Sequence, residues 1–210
     1  MGRDRRDTRR DMVLSAVEVL RERGADAVTL DAVLTRSGAP RGSIYHHFPG
    51  GRSEILSDAL DFAGDAIAVR IERVAEAGAT SALRDFSVFW KKILHDSDYT
   101  AGCPVVSVAV SNADEDGAQL ASRARDIFQR WCDAMRRALV GDGLTPRTAE
   151  RLATMVVASV EGAVVLCRAR RDMGPLDDVV EELELLIDAE KFLARNKHPR
   201  QRASTEKDRS

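Results

Sequence analysis

The run Met155-Val156-Val157-Ala158-Ser159-Val160-Glu161-Gly162-Ala163-Val164-Val165-Leu166 constrains the fold of this chain more than any other segment. Wound as a helix it is apolar nearly all round, so it must be covered on several sides. No apolar run approaches the roughly 18 residues of a membrane span, so the cover is expected to be protein. A β-sandwich or barrel is a poor match. Aromatic residues are 5% of the chain, and glycine and proline number 14 and 6 of 210 residues. All-β folds need many turn residues and β-branched or aromatic strands. With 44% hydrophobic and 31% charged residues, wholesale disorder is excluded.

The rest of the chain also reads as helix. Met12, Val13, Ala16, Val17 and Leu20 fall on one helical face, with Thr8 and Asp11 as a capping box and Gly24 as the stop. Thr29 can cap a short second helix that has Asp31 in its first turn and Gly38 at its end. Pro40 can open a third, to about His47, before Pro49-Gly50-Gly51 breaks the chain. A long helix is expected over 53–77, then helices near 81–95, 103–113, 117–140, 146–171 and 175–194. Residues 196–210 are polar and aperiodic and read as a disordered tail.

Charge divides the chain unevenly. Residues 1–52 carry ten Lys/Arg against seven Asp/Glu, and residues 53–194 carry sixteen against twenty-five. A basic first segment on an acidic body suggests that one end meets a polyanion. Arg3, Arg5, Arg6, Arg9 and Arg10 suit either an arm reaching DNA or a solvated, frayed terminus. The charged start, MGRDRRDTRRDM, lacks the apolar core of a secretory signal. Cys103, Cys132 and Cys167 are odd in number and fit no zinc-site spacing. The expected compartment is a reducing cytoplasm, with no membrane association, no metal and no cofactor.

Residues 29–48, TLDAVLTRSGAPRGSIYHHF, hold two short helices joined at Ser37-Gly38-Ala39, which is helix-turn-helix spacing. Leu30, Val33, Leu34, Ile44 and Phe48 would pack inward. The outer face of the second helix would carry Arg41, Ser43, Tyr45 and His47, groups suited to phosphate oxygens and base edges. Gly42 would let that helix sit close to a groove, and Arg52 starts the next helix, where free N–H groups favour a phosphate. Tyr45 also suits a half-buried packing role, and His46 either packs beneath the helix or lies at its edge.

Residues 8–56, and Gly38 to Phe48 above all, resemble the DNA-binding domain of the TetR family of bacterial transcriptional regulators. Pro49-Gly50-Gly51-Arg52 and Gly102-Cys103-Pro104-Val105-Val106 resemble its LmrA/YxaF-like branch. The resemblance implies an all-α homodimer: a three-helix DNA-binding domain at 1–52 and a larger ligand-binding and dimerisation domain at 53–195. It implies a repressor, not an enzyme, that leaves a palindromic operator when a small hydrophobic or aromatic effector binds. Thr29, Arg41, Gly42, Ser43, Tyr45, His46, His47 and Arg52 match positions where relatives meet DNA. Arg41 suits guanine in the major groove, and Thr29, Tyr45, His47 and Arg52 suit phosphates. The helices near 146–171 and 175–194 match the family's dimer bundle.

In the second part, Phe86, Phe89, Trp90, Trp131, Met135 and Met155 are the large adaptable side chains that could line an effector pocket or simply fill the core. Glu161, alone in its apolar run, needs a partner or a proton; it either orients a ligand or pairs within the protein. Cys103, before Pro104, suits a small buried residue or a redox-sensing thiol. A redox-switched regulator through Cys103 is therefore the alternative function. An enzyme is the weakest, since no Ser-His-Asp order, metal cluster or phosphate loop is visible.

Overall fold

The computed structural model describes residues 5–75, 77–111 and 117–196. Arg3, the side chains of Arg5 and Arg6, and the tail from 197 lie outside the described residues. Among those described there are α-helices and two short 3-10 turns and no strand. The helices are α1 (Arg5–Arg23), α2 (Leu30–Ser37), α3 (Ile44–His47), α4 (Gly51–Ala75), α5 (Ala79–Asp96), α6 (Pro104–Ala109), α7 (Gly117–Gly141), α8 (Pro146–Arg170) and α9 (Gly174–Asn196).

Most helix ends follow from local chemistry. Thr29 Oγ1 accepts from the Ala32 N–H at 3.1 Å, and Gly38 closes α2 in the left-handed conformation, φ 66°. Thr145 caps α8 ahead of Pro146. Two expectations need correction. Helix α1 already runs from Arg5, so Thr8 lies inside it and not at its cap. The third helix opens as a 3-10 turn over Arg41–Ser43, and only Ile44–His47 are α-helical.

The expected face of α1 is all core: Met12, Val13, Ala16, Val17 and Leu20 are buried. Helix α4 is continuous and packs on α1 as well as on α5 and α7, so a division at residue 52 falls in its first turn. Its crossing with α7 is tight. A Cβ at Gly64 would stand 2.8 Å from Ile127 Cγ2, and the Trp131 indole N–H donates to the Gly64 carbonyl at 3.0 Å. Phe86 lies between Trp90 and Trp131, with ring centroids 6.3 and 6.5 Å away. At the far end Asp142 Oδ2 accepts from the Ala79 N–H that opens α5 and pairs with Lys191 Nζ of α9 at 2.7 Å.

Helix α8 packs against α5, α7 and α9. By length and composition it is also long and apolar enough to cross a membrane, as a core helix can be, although Glu161 and Arg168 interrupt it; half of its most apolar stretch is buried in protein. Met155, Val165 and Leu166 of α8 stay exposed, as do Leu185, Phe192 and Leu193 of α9.

Candidate nucleic-acid interface and seam pocket

The helix-turn-helix is held from behind by arginines. Arg36 of α2 reaches Glu18 and Glu22 of α1 at 2.6 and 2.7 Å. Arg9 of α1 pairs with Asp58 of α4, donates to the His47 carbonyl and lies over the Phe48 ring, 4.6 Å from its centroid. Arg9 is thus tied into the protein, not extended as part of an arm. Val33, Leu34, Ile44 and Phe48 are buried beneath, and Leu30 is half-buried.

In front, Arg41, Gly42, Tyr45 and His46 are exposed, and Ser43 and His47 are half-buried. The Arg41 guanidinium meets Asp31 Oδ1 at 2.7 Å, with both side chains open to solvent. That contact pre-orients the fork and is weak enough to be exchanged. The Ser43 hydroxyl donates to the Pro40 carbonyl at 2.6 Å, which leaves its lone pairs free to accept. A Cβ at Gly42 would meet nothing within 4 Å, so the protein itself does not require glycine there. The two histidines exchange the roles suggested by helical spacing: His46 faces out and His47 turns partly inward. The reason is the shortness of α3, a single turn that ends at His47 with Phe48 as its C-cap.

Arg52 differs from its expected role more strongly. Its Nε donates to the Val28 carbonyl and its Nη2 to the Ala25 carbonyl, both at 2.9 Å. It clasps the turn that leads into α2. Sequence spacing carries no signal for that contact, because its partners lie 24 and 27 residues upstream.

The candidate effector residues separate into three groups. Phe86, Trp90, Trp131 and Met135 are fully buried core. Phe89 is half-buried beside Trp90 and under the Arg70 guanidinium, and Met155 is exposed on α8. Only Cys103 and Glu161 come together, in a pocket of about 380 Å³ at the seam where the end of α1 meets α6 and α8. Sequence reasoning missed Arg21, Ser107 and Arg168 in its walls. Arg21 stands four residues after Val17, at the edge of the apolar face of α1, and that spacing was its available signal.

Glu161 is buried, and apart from the thiol of Cys103 neither carboxyl oxygen has a partner among the described residues. Burial pushes its carboxyl up to about 8. The Cys103 thiol is pushed well above its usual range, by burial first and then by Glu161. A redox sensor needs a thiolate, so this environment opposes that role. No group of His, Cys, Asp or Glu among the described residues is arranged to hold a metal ion.

Two family models match separate parts of the chain. The family described as "Bacterial regulatory proteins, tetR family" matches residues 13–58, and "Transcriptional regulator LmrA/YxaF-like, C-terminal domain" matches residues 79–182. The HTH-type transcriptional regulator Rv0196 of Mycobacterium tuberculosis, itself described as uncharacterized, is 42% identical over 188 residues, covering 87% of this chain and 95% of the relative. YxaF of Bacillus subtilis is 26% identical, covering 87% and 96%, and LmrA of the same organism is 25% identical, covering 81% and 91%. A TetR regulator from Legionella pneumophila superposes with a TM-score of 0.74 at 17% identity, over 88% of this chain and 98% of that one.

Proposed function

Since this chain belongs to the TetR family of bacterial transcriptional regulators, with an LmrA/YxaF-like C-terminal domain, we propose that it is a cytoplasmic repressor that leaves a palindromic operator when a small hydrophobic effector binds. The observation that carries the reading is the outward face of α3, where Arg41, Tyr45 and His46 stand in solvent on a base locked by Arg9, Arg36 and Arg52. Arg41 reads a base, most naturally guanine, by exchanging Asp31 for the O6/N7 edge. Tyr45, His46, Ser43 and the Thr29 hydroxyl hold phosphates and set register. Residues 1–52 form the reading head in this proposal, and 53–195 the effector-binding and pairing part.

Pairing uses α8 and α9. Met155, Val165 and Leu166 on one helix and Leu185, Phe192 and Leu193 on the other leave an apolar face with nothing on it in a single copy. Exposed Gly162, with nothing within 4 Å of its would-be Cβ, lets a partner helix come close. A twofold pair would set two α3 helices roughly 34–36 Å apart, one turn of DNA.

The test is binding of the purified protein to DNA flanking its own gene, over a salt series and against scrambled DNA. Tight, palindrome-dependent binding with a steep salt slope is expected. Equal, weak binding to every sequence would overturn the repressor reading.

A further inference from the structure

We propose that the seam pocket binds a small aliphatic monocarboxylate, its head held between Arg21 and Glu161, and that an occupant there shifts α1 relative to α6. The binding step stands on the pocket alone; the consequence for DNA rests on the regulator reading above.

Two buried polar side chains line this seam: Glu161, whose oxygens have no partner among the described residues but the Cys103 thiol, and Arg21, whose Nε has none. Such groups are ordinarily satisfied, so a buried donor and a buried carboxyl short of partners in the walls of one pocket mark the place of a polar head. The pocket has the volume of a small-molecule site, about 380 Å³. Its apolar walls are Leu20, Val106, Val110, Val164 and Val165, branched aliphatic groups with no aromatic ring among them. They suit an alkyl chain better than a planar ring.

The sign of the head follows from the charges facing it. From α1 come Arg21, Glu22 and Arg23; from the α6 side, the Cys103 thiol; from α8, Glu161 itself and Arg168. Glu22 is already neutralised by Arg36 at 2.7 Å. Arg168 donates one N–H to the Thr100 carbonyl at 2.7 Å, and among the described residues this pocket holds no carboxyl group other than Glu161 and Glu22. Glu161, with its carboxyl near 8, holds its proton at neutral pH, and the Cys103 thiol does too. Burial lowers the Arg21 guanidinium from its usual value, with the nearby Cys103 and Glu18 opposing that shift; arginines still outnumber the carboxylates left ionised around the pocket, so it is electropositive. An ammonium head is repelled, whereas a carboxylate accepts from Arg21 Nε–H and from the protonated Glu161. No proton changes hands in this step.

The seam itself is lightly fastened. The Gly102 N–H donates to the Arg21 carbonyl at 2.9 Å, and Gly24, φ 86°, sits where a Cβ would be 3.3 Å from Ser107 Oγ. An occupant wedged beside these contacts acts directly on the end of α1.

The experiment is calorimetric titration of the full-length protein with octanoate, against octylammonium and octanol, from about pH 6.5 to 9. Saturable octanoate binding is expected. It should fall by up to about tenfold per pH unit above roughly pH 8, as Glu161 loses its proton. Glu161→Gln, whose side chain never ionises, should remove the pH dependence. Arg21→Gln, with its fold checked by circular dichroism, should lose at least about tenfold. Octylammonium binding that is tighter than octanoate and lost in Glu161→Gln would overturn the proposed sign, and the absence of saturable octanoate binding would overturn the site. Operator release by octanoate is read separately by fluorescence anisotropy. Binding without release removes the coupling alone. Octanoate binding by a protein that finds no operator keeps the site and removes the regulator reading.

Discussion

Replacing Glu161 by glutamine should shift the stability balance toward the variant as pH rises, from near parity around pH 5 to a net gain above about pH 7. The carboxyl has an ordinary value of 4.5 and stands at about 8 in the folded chain, because burial disfavours its charged form. The folded state therefore holds this proton more tightly than the unfolded one. Between those two values unfolding releases the proton, so the wild type loses stability as pH rises through the window and levels off above it. At ~1.4 kcal/mol per pH unit, the pH-dependent cost is about 1 kcal/mol near pH 5, about 3 near pH 7 and nearly 5 above about pH 8.5. Glutamine keeps the shape and never ionises. Its buried amide adds a penalty of about 1–2 kcal/mol, but that part is flat with pH. Urea unfolding of both proteins, at one fixed concentration to hold any association constant, isolates the sloping part. A wild-type-to-variant difference that stays constant from about pH 5 to 9 would refute the claim that this carboxyl is buried and unpaired.

Three further outcomes are expected. Arg41→Ala should cost about 1–3 kcal/mol at the operator and relax discrimination at one base position, which a panel of single-base operator variants reads directly. Unchanged discrimination at every position would remove Arg41 from base reading. Arg52→Ala should lower the melting temperature and weaken all DNA sequences alike while leaving the salt slope unchanged, because the clasp on the Ala25 and Val28 carbonyls is lost and not a phosphate contact. A slope reduced by about one would instead place Arg52 on the backbone of DNA. Gly64→Ala should destabilise by about 1–3 kcal/mol in thermal denaturation, since the new methyl would meet Ile127 at 2.8 Å. A neutral result would mean that the α4–α7 crossing is looser than its geometry.

The periodic features were legible in the sequence because they repeat. The α1 face, the Thr29 and Gly38 signals and the long helices each involve several residues obeying one spacing, and the structure places them accordingly. What was not legible depends on single positions and long-range contacts. His46 and His47 changed places because α3 is one turn long, and one residue of slip on so short a helix redirects each ring. Arg52 has the composition of a phosphate contact, and only the tertiary fold brings the Ala25 and Val28 carbonyls to it. Phe86, Trp90 and Trp131 have the composition of an aromatic pocket and are packed against one another. Glu161 stood out as a lone carboxyl in an apolar run, but Arg21 and Cys103 lie more than fifty residues away in the chain, and no spacing rule connects them to it.

The seam also suggests why a modest ligand could move a DNA-binding surface. Glu22 belongs to both structures: it lines the pocket, and it takes two hydrogen bonds from Arg36, at 2.7 and 2.8 Å, that fasten α2 to α1. Arg36 also depends on Glu18 of the same helix. A shift of the last turn of α1 therefore reaches α2 without passing through the core of the second part. The energy required is small. A hundredfold loss of DNA affinity is about 2.7 kcal/mol, and a ligand supplies it only through a difference in its affinity for the two arrangements. Partnering one buried carboxyl and one buried guanidinium N–H in one arrangement and not in the other is of that order. The Glu161 oxygens and Arg21 Nε, buried and short of hydrogen-bond partners among the described residues, are then the reserve on which such a switch would draw.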